Sequence, residues 1–123
     1  MFPFLPQNAS AAPADAFVDV GAAADLAAGA QITVMVGFNR VLVLRTDDGQ
    51  LHAMADLCPH ALQPLAGGVV RDGTIVCAKH QACFDLKTGQ PMNRLTRKPL
   101  TRYEVSEHEG RIRVGRVVAD PPV

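Results

Sequence analysis

The chain has 123 residues, with 12 Lys and Arg against 12 Asp and Glu and a hydrophobic share of 48%. That length holds one domain with at most a short appendage, and the balanced charge gives no bulk electrostatic case for nucleic acid. No apolar stretch approaches a membrane span, and the N-terminus lacks both the basic region and the apolar run of a signal peptide, so neither is expected.

The balance conceals a split. Residues 1–56 hold six aspartates and two arginines, whereas residues 57–123 hold ten Lys and Arg and six acids. Two readings stay open: a field that docks a partner, or the ordinary charge of solvated strand faces.

Residues 1–16 are rich in Ala and Pro without periodicity, which reads as a flexible N-terminal extension. The domain is expected over residues 17–118, with 119–123 as a tail. Residues 17–20 suit a short strand. Residues 21–30 are Ala-rich but interrupted by Gly, enough for one helical turn near Asp25-Leu26 and too short for a stable helix. Ile32, Val34 and Val36 alternate with Gln31, Thr33 and Met35, the pattern of a half-buried strand. Gly37-Phe38-Asn39 turns the chain into an apolar strand over residues 40–45, and Asp47-Asp48-Gly49 is a hairpin turn. Residues 51–56 form the next strand, on which His52 is expected at a surface or an edge.

Two knuckles follow. Cys58-Pro59-His60 and, after sixteen residues, Cys77-Ala78-Lys79-His80 each offer one cysteine and one histidine. Thiolate and imidazole are ligands that iron and zinc prefer. Pro59 stiffens the first knuckle, and Pro64 with Gly67-Gly68 breaks the chain after it. Between the knuckles, Asp72-Gly73 marks a hairpin over residues 69–76 that delivers the second one. Residues 83–85 continue as a strand and Lys87-Thr88-Gly89 turns again. Residues 91–99 are irregular and basic. Residues 100–107 and 111–118 form a last hairpin around Glu109-Gly110, with His108 solvated at the turn. Short strands with turn signals throughout indicate an all-β sandwich or partly open barrel.

Structural zinc sites commonly pair Cys with Cys in one knuckle and His with His in the other. Here each knuckle mixes the two. The C-x-H and C-x-x-H pattern with this spacer resembles the Rieske iron–sulfur family. The run Phe84-Asp85-Leu86-Lys87-Thr88-Gly89 resembles the F-D-x-x-T-G run of Rieske ferredoxins, and residues 18–56 resemble that family's lead-in strands. The resemblance covers roughly residues 17–118.

It implies a Rieske-type antiparallel β-sandwich or partly open barrel with a small cluster-binding subdomain of two loops, about residues 57–95. It implies a [2Fe–2S] cluster with Cys58 and Cys77 on one iron and His60 and His80 on the other, the histidine side facing solvent. Residues 91–99 would be the third loop covering the cluster, without the Gly-Pro-rich form common there. No catalytic residues are expected, since His52 and His108 make no 2-His-1-carboxylate site.

The implied function is that of a soluble, low-potential one-electron carrier between a flavin-dependent reductase and a terminal oxygenase. The alternative is the redox small subunit of a larger oxidoreductase such as nitrite reductase; outside the family stands a structural zinc module serving interaction. Respiratory Rieske proteins carry an interloop disulfide where this chain has Gln63 and Lys79, and its absence implies a reducing, cytoplasmic setting. Cys83 remains, expected as a small buried apolar side chain. High-potential members place Ser and Tyr donors where this chain has Ala82 and Phe84, which implies a potential near the low end of the Rieske range, about −150 mV.

Overall fold

The computed structural model describes residues 17–59, 63–78 and 81–118. Its organising strand is β3 (Asn39–Arg45), where Val41, Leu42, Val43 and Leu44 are all 0% exposed. Successive side chains of a strand point to opposite faces. Val41 and Val43 therefore enter one core while Leu42 and Leu44 enter another. A strand buried on both faces carries no alternation of polar residues, which is why this run is apolar throughout.

The first core lies inside the main sheet. β2 (Gln31–Val36) and β4 (Leu51–Ala55) flank β3, with Val41 opposite Val34 on one side and Ala55 on the other. β8 (Arg102–His108), β9 (Arg111–Val117) and β1 (Val18–Ala22) extend the sheet in the order β1-β9-β8-β4-β3-β2, every pairing antiparallel. The sheet curls into a nearly closed barrel around Val41, Val43, Ala53, Ile112 and Val114. β1 and β2 are its two edges, and the chain between them contains a single 3-10 turn, Ala23–Asp25. Leu26 from this connection is 1% exposed and joins the barrel core, while Arg45 Nε donates to its carbonyl at 2.8 Å.

The second core lies between the opposite face of β3 and β4 and a small sheet, β5 (Val69–Arg71), β6 (Thr74–Val76) and β7 (Cys83–Asp85). The β5–β6 turn puts Asp72 at φ 53° and Gly73 at φ 76°, the paired left-handed conformations that a two-residue hairpin of this twist requires. Phe84 and Ile75 from the small sheet pack with Leu42, Leu44 and Met54 from the large one, together with Leu65, Leu86 and Leu100.

The all-β expectation and the hairpin turns agree with this architecture. Three details differ. The β2–β3 turn is two residues, with Asn39 already in β3. β8 starts at Arg102, because Leu100 is 1% exposed in the second core and its N–H donates to the Gly89 carbonyl at 2.7 Å. His52 is not at an edge: β4 lies between β3 and β8, and His52 is half-buried there. Among the described residues no helix is long and apolar enough to cross a membrane.

Candidate metal centre

Each candidate cysteine stands at the root of a loop closed by backbone hydrogen bonds. Cys58 follows β4, and its N–H donates to the Gln63 carbonyl at 2.7 Å, forming an isolated antiparallel bridge across the first loop. Cys77 follows β6. Its N–H donates to the Ala82 carbonyl at 2.8 Å, and the Gln81 N–H donates back to the Cys77 carbonyl at 2.9 Å. Gln81 sits at φ 63°, the left-handed turn that brings the chain back into β7. The cysteines are 0% and 1% exposed and lie in one apolar cluster with Leu65, Ala82 and Phe84. His60 and His80 lie outside the described residues. Among the described residues no group of three or more His, Cys, Asp or Glu side chains is placed to hold a metal ion.

The first loop is anchored by a residue that ended a strand in the sequence reading and received no role there. The Asp56 side chain is 0% exposed. Its Oδ1 accepts the N–H groups of Leu65 and Ala66, each at 2.8 Å. Its Oδ2 accepts from Arg40 Nη2 at 3.0 Å and from Thr33 Oγ at 3.2 Å. Burial pushes the Asp56 carboxyl up, but the hydrogen bonds from Ala66, Arg40, Thr33 and Leu65 outweigh it and hold the group below the ordinary aspartate value. The available signal was a lone carboxylate closing an apolar strand just before a ligand knuckle.

Gln31 holds the exit of the same loop. Its side-chain amide donates to the Gly68 carbonyl at 2.8 Å and accepts the Gly67 N–H at 3.0 Å. A Cβ on Gly68 would stand 2.6 Å from the Val76 carbonyl oxygen, so only glycine lets the first loop leave against the strand that enters the second.

The segment over residues 91–99 joins the second loop to the first. The Met92 N–H donates to the Cys83 carbonyl at 2.7 Å, and Asn93 Nδ2 donates to the Gln81 carbonyl at 2.9 Å. Farther on, Lys98 and Pro99 line a shallow depression with Leu57 and Pro59. Cys83 is free and half-buried at the start of β7, less buried than expected because alternation along the strand sends Ala82, Phe84 and Leu86 into the core and Cys83 to the opposite face. His52 lies away from these loops, beside a depression lined by Asp48, Asp72 and Lys87. His108 is exposed, with Nε2 at 3.5 Å from Glu109.

Two cysteines buried at loop roots, in knuckles that also carry histidine in the sequence, suit a group that takes thiolate and imidazole together. A buried thiolate pair needs a compensating cation, and an iron–sulfur group supplies one.

Comparison with known proteins gives the same answer. The family model described as the Rieske [2Fe-2S] domain matches residues 16–104. Apoptosis-inducing factor 3 of Mus musculus is 40% identical over 65 residues, which is 53% of this chain and 11% of that protein. The chain thus spans only about a tenth of that relative. The anthranilate 1,2-dioxygenase ferredoxin subunit of Burkholderia cepacia is 34% identical over 80 residues, covering 65% of this chain and 73% of that one. A chain in the complex of reduced oxygenase and oxidised ferredoxin in carbazole 1,9a-dioxygenase superposes with a TM-score of 0.74 at 32% identity, over 81% of this chain and 93% of its own.

Proposed function

The chain belongs to the Rieske [2Fe-2S] domain family, and from that premise we propose that it is a soluble one-electron carrier whose cluster is held by Cys58, His60, Cys77 and His80. When bound, the cluster supplies a single-electron redox couple. The observation that carries the reading is the burial of Cys58 and Cys77 in one core at two loop roots. Those thiolates would hold one iron of the cluster, and Leu65 and Phe84 beside them exclude water. By their places in the family pattern, His60 and His80 would hold the other iron. Asp56 and Gln31 fix the path of the first loop, and the hydrogen bonds of Cys77 fix the second.

Residues 17–118 are the working domain in this reading, with 1–16 an extension and 119–123 a tail. The electron donor is a flavin-dependent reductase and the acceptor a terminal oxygenase, both in the cytoplasm. The relatives named as ferredoxin components of oxygenase systems support the oxygenase as acceptor. The zinc alternative is set aside, because the family is described by its [2Fe-2S] group.

The test is iron and acid-labile sulfide analysis of the purified protein, with its visible and electron paramagnetic resonance spectra. Two irons and two sulfides per chain are expected, and loss of both in His60→Ala and in Cys77→Ala. Full iron content in either variant, or zinc without sulfide in the wild type, refutes the ligand set. Copurification with a large subunit in fixed ratio would make the protein a redox subunit instead of a free carrier.

A further inference from the structure

The end of the molecule that bears the two cysteine loops has a charge unlike the rest. In the sequence, residues 57–68, 77–82 and 90–101 include Lys79, Arg94, Arg97 and Lys98 and no Asp or Glu. Arg94, Arg97 and Lys98 are exposed, and among the described residues none has an ion-pair partner. Elsewhere Arg40, Arg45 and Arg111 meet Asp56, Glu107 and Asp19, while among the described residues Arg71, Lys87, Arg102, Arg113 and Arg116 make no ion pair but have acids on their own or a neighbouring strand or turn. The acids gather elsewhere. Asp47 and Asp48 form the β3–β4 turn, Glu109 the β8–β9 turn, and the Arg45–Glu107 pair at 3.1 Å shows that these two turns share the end of the barrel opposite the loops. The loop end thus carries exposed cations, while its nearest carboxylate, Asp56, is buried and paired with Arg40.

The cationic segment also spans the site. It starts on the second loop, through Met92 and Asn93, and ends beside the first, where Lys98 and Pro99 share a depression of about 220 Å³ with Leu57 and Pro59. Large apolar side chains stand out among the cations: Leu57 is 43% exposed, Met92 55% and Leu95 45%. Apolar contacts bordered by charge of one sign are the anatomy of a transient protein interface, in which the charge steers encounter and the apolar groups hold it.

Resting on the reading of the chain as a one-electron carrier, we propose that this end docks an acidic protein face. Leu57, Met92 and Leu95 make the apolar contact, and Arg94, Arg97 and Lys98 meet the partner's carboxylates. Nucleic acid is the poorer fit: the basic footprint is short, carries no aromatic stacking residue, and is backed by a chain of zero formal net charge. An anionic membrane calls for a denser basic cluster.

The experiment uses holoprotein reduced with dithionite and mixed rapidly with one of two defined acceptors. Hexacyanoferrate(III) is an anion and hexaammineruthenium(III) a cation; each takes one electron and keeps its ligands. With the wild type, reaction with the anion should slow as ionic strength rises and reaction with the cation should quicken. The triple variant Arg94→Glu, Arg97→Glu, Lys98→Glu should react roughly tenfold more slowly with the anion at low salt and reverse both salt trends. The charge-preserving variant Arg94→Lys, Arg97→Lys, Lys98→Arg should behave as the wild type. The same ordering is expected with any terminal oxygenase that the reduced protein turns over, and Leu57→Ser with Leu95→Ser should weaken that reaction without changing its salt slope. A triple variant indistinguishable from the wild type overturns the proposal. So does binding of the wild type, lost in the triple variant, to phosphatidylglycerol vesicles or duplex DNA. Absence of an iron–sulfur spectrum would refute the carrier reading itself; a normal spectrum with the wrong salt trends refutes only the docking surface.

Discussion

Removing the Asp56 carboxylate is the sharpest test of how the first loop is held. In Asp56→Ala the N–H of Leu65, a residue 1% exposed, loses its acceptor in a place water does not reach. A buried donor left without a partner costs about 1–3 kcal/mol, and bonds to a charged group are at the stronger end. Ala66 and Arg40 are exposed and recover their hydration. The expected loss is therefore about 3 kcal/mol, which at a slope of about 2 kcal/mol/M lowers the urea midpoint by about 1.5 M. Asp56→Asn keeps an amide oxygen facing the two N–H groups but gives up the ion pair with an exposed arginine and the hydrogen bond from Thr33, about 1–2 kcal/mol together. The assay is urea unfolding of the anaerobic holoprotein, followed by far-ultraviolet circular dichroism and visible absorbance together. Because the loop is rooted at Cys58, the visible band of Asp56→Ala should vanish before the dichroism changes. An alanine variant as stable as the wild type, or an asparagine variant as damaged as the alanine one, would refute the reasoning.

Three further outcomes are expected. Cys83→Ala should keep the visible spectrum and the reduction potential, since only the Cys83 backbone carbonyl holds Met92; a shifted spectrum would count against this. Burial pushes the His52 pKa down from 6.5, with Arg102 and Lys87 adding to it and Asp48 and the Leu86 backbone opposing. The unfolded chain therefore takes the proton first, so the His52 contribution is complete above 6.5 and is lost as pH falls below it. His52→Gln should flatten the fall in melting temperature between about pH 7 and about pH 5, and an unchanged slope would reject the assignment. Ala82 and Phe84 are 0% exposed beside the cysteines. Ala82→Ser and Phe84→Tyr should each raise the potential by about 60 mV, the equivalent of one hydrogen bond of about 1.4 kcal/mol that favours the reduced state. Direct electrochemistry decides it: a wild-type midpoint well above zero contradicts the low-potential expectation of about −150 mV.

What was legible in the chain was local. Asp72-Gly73 and Asp47-Asp48-Gly49 declare their turns through residues that accept left-handed or tight backbone, and the two Cys-His knuckles declare the family by residue type and spacing. What was hidden depends on pairings between distant residues. β1 pairs with β9 across almost the whole chain, and no local pattern announces it. The same holds for Asp56, whose partners Thr33 and Arg40 come from neighbouring strands and whose role exists only once β2, β3 and β4 are aligned. His52 reaches a surface depression but is off the sheet edge, because the order of strands, not the residues around it, makes β4 an interior strand. Cys83 is less buried than expected because it falls on the face of β7 opposite Phe84.

The double burial of β3 bears on modularity. The cysteine loops look like a portable insert between β4 and β8, yet the floor on which they rest, Leu42, Leu44 and Met54, belongs to strands of the barrel. An excised fragment of residues 57–95 would leave that floor behind and expose Leu65, Ile75, Phe84 and Leu86 to water. Transplanting the site onto another scaffold therefore means carrying the β3–β4 hairpin with it. It also means accepting that the reverse side of that hairpin, Val41, Val43 and Ala53, demands a second hydrophobic host.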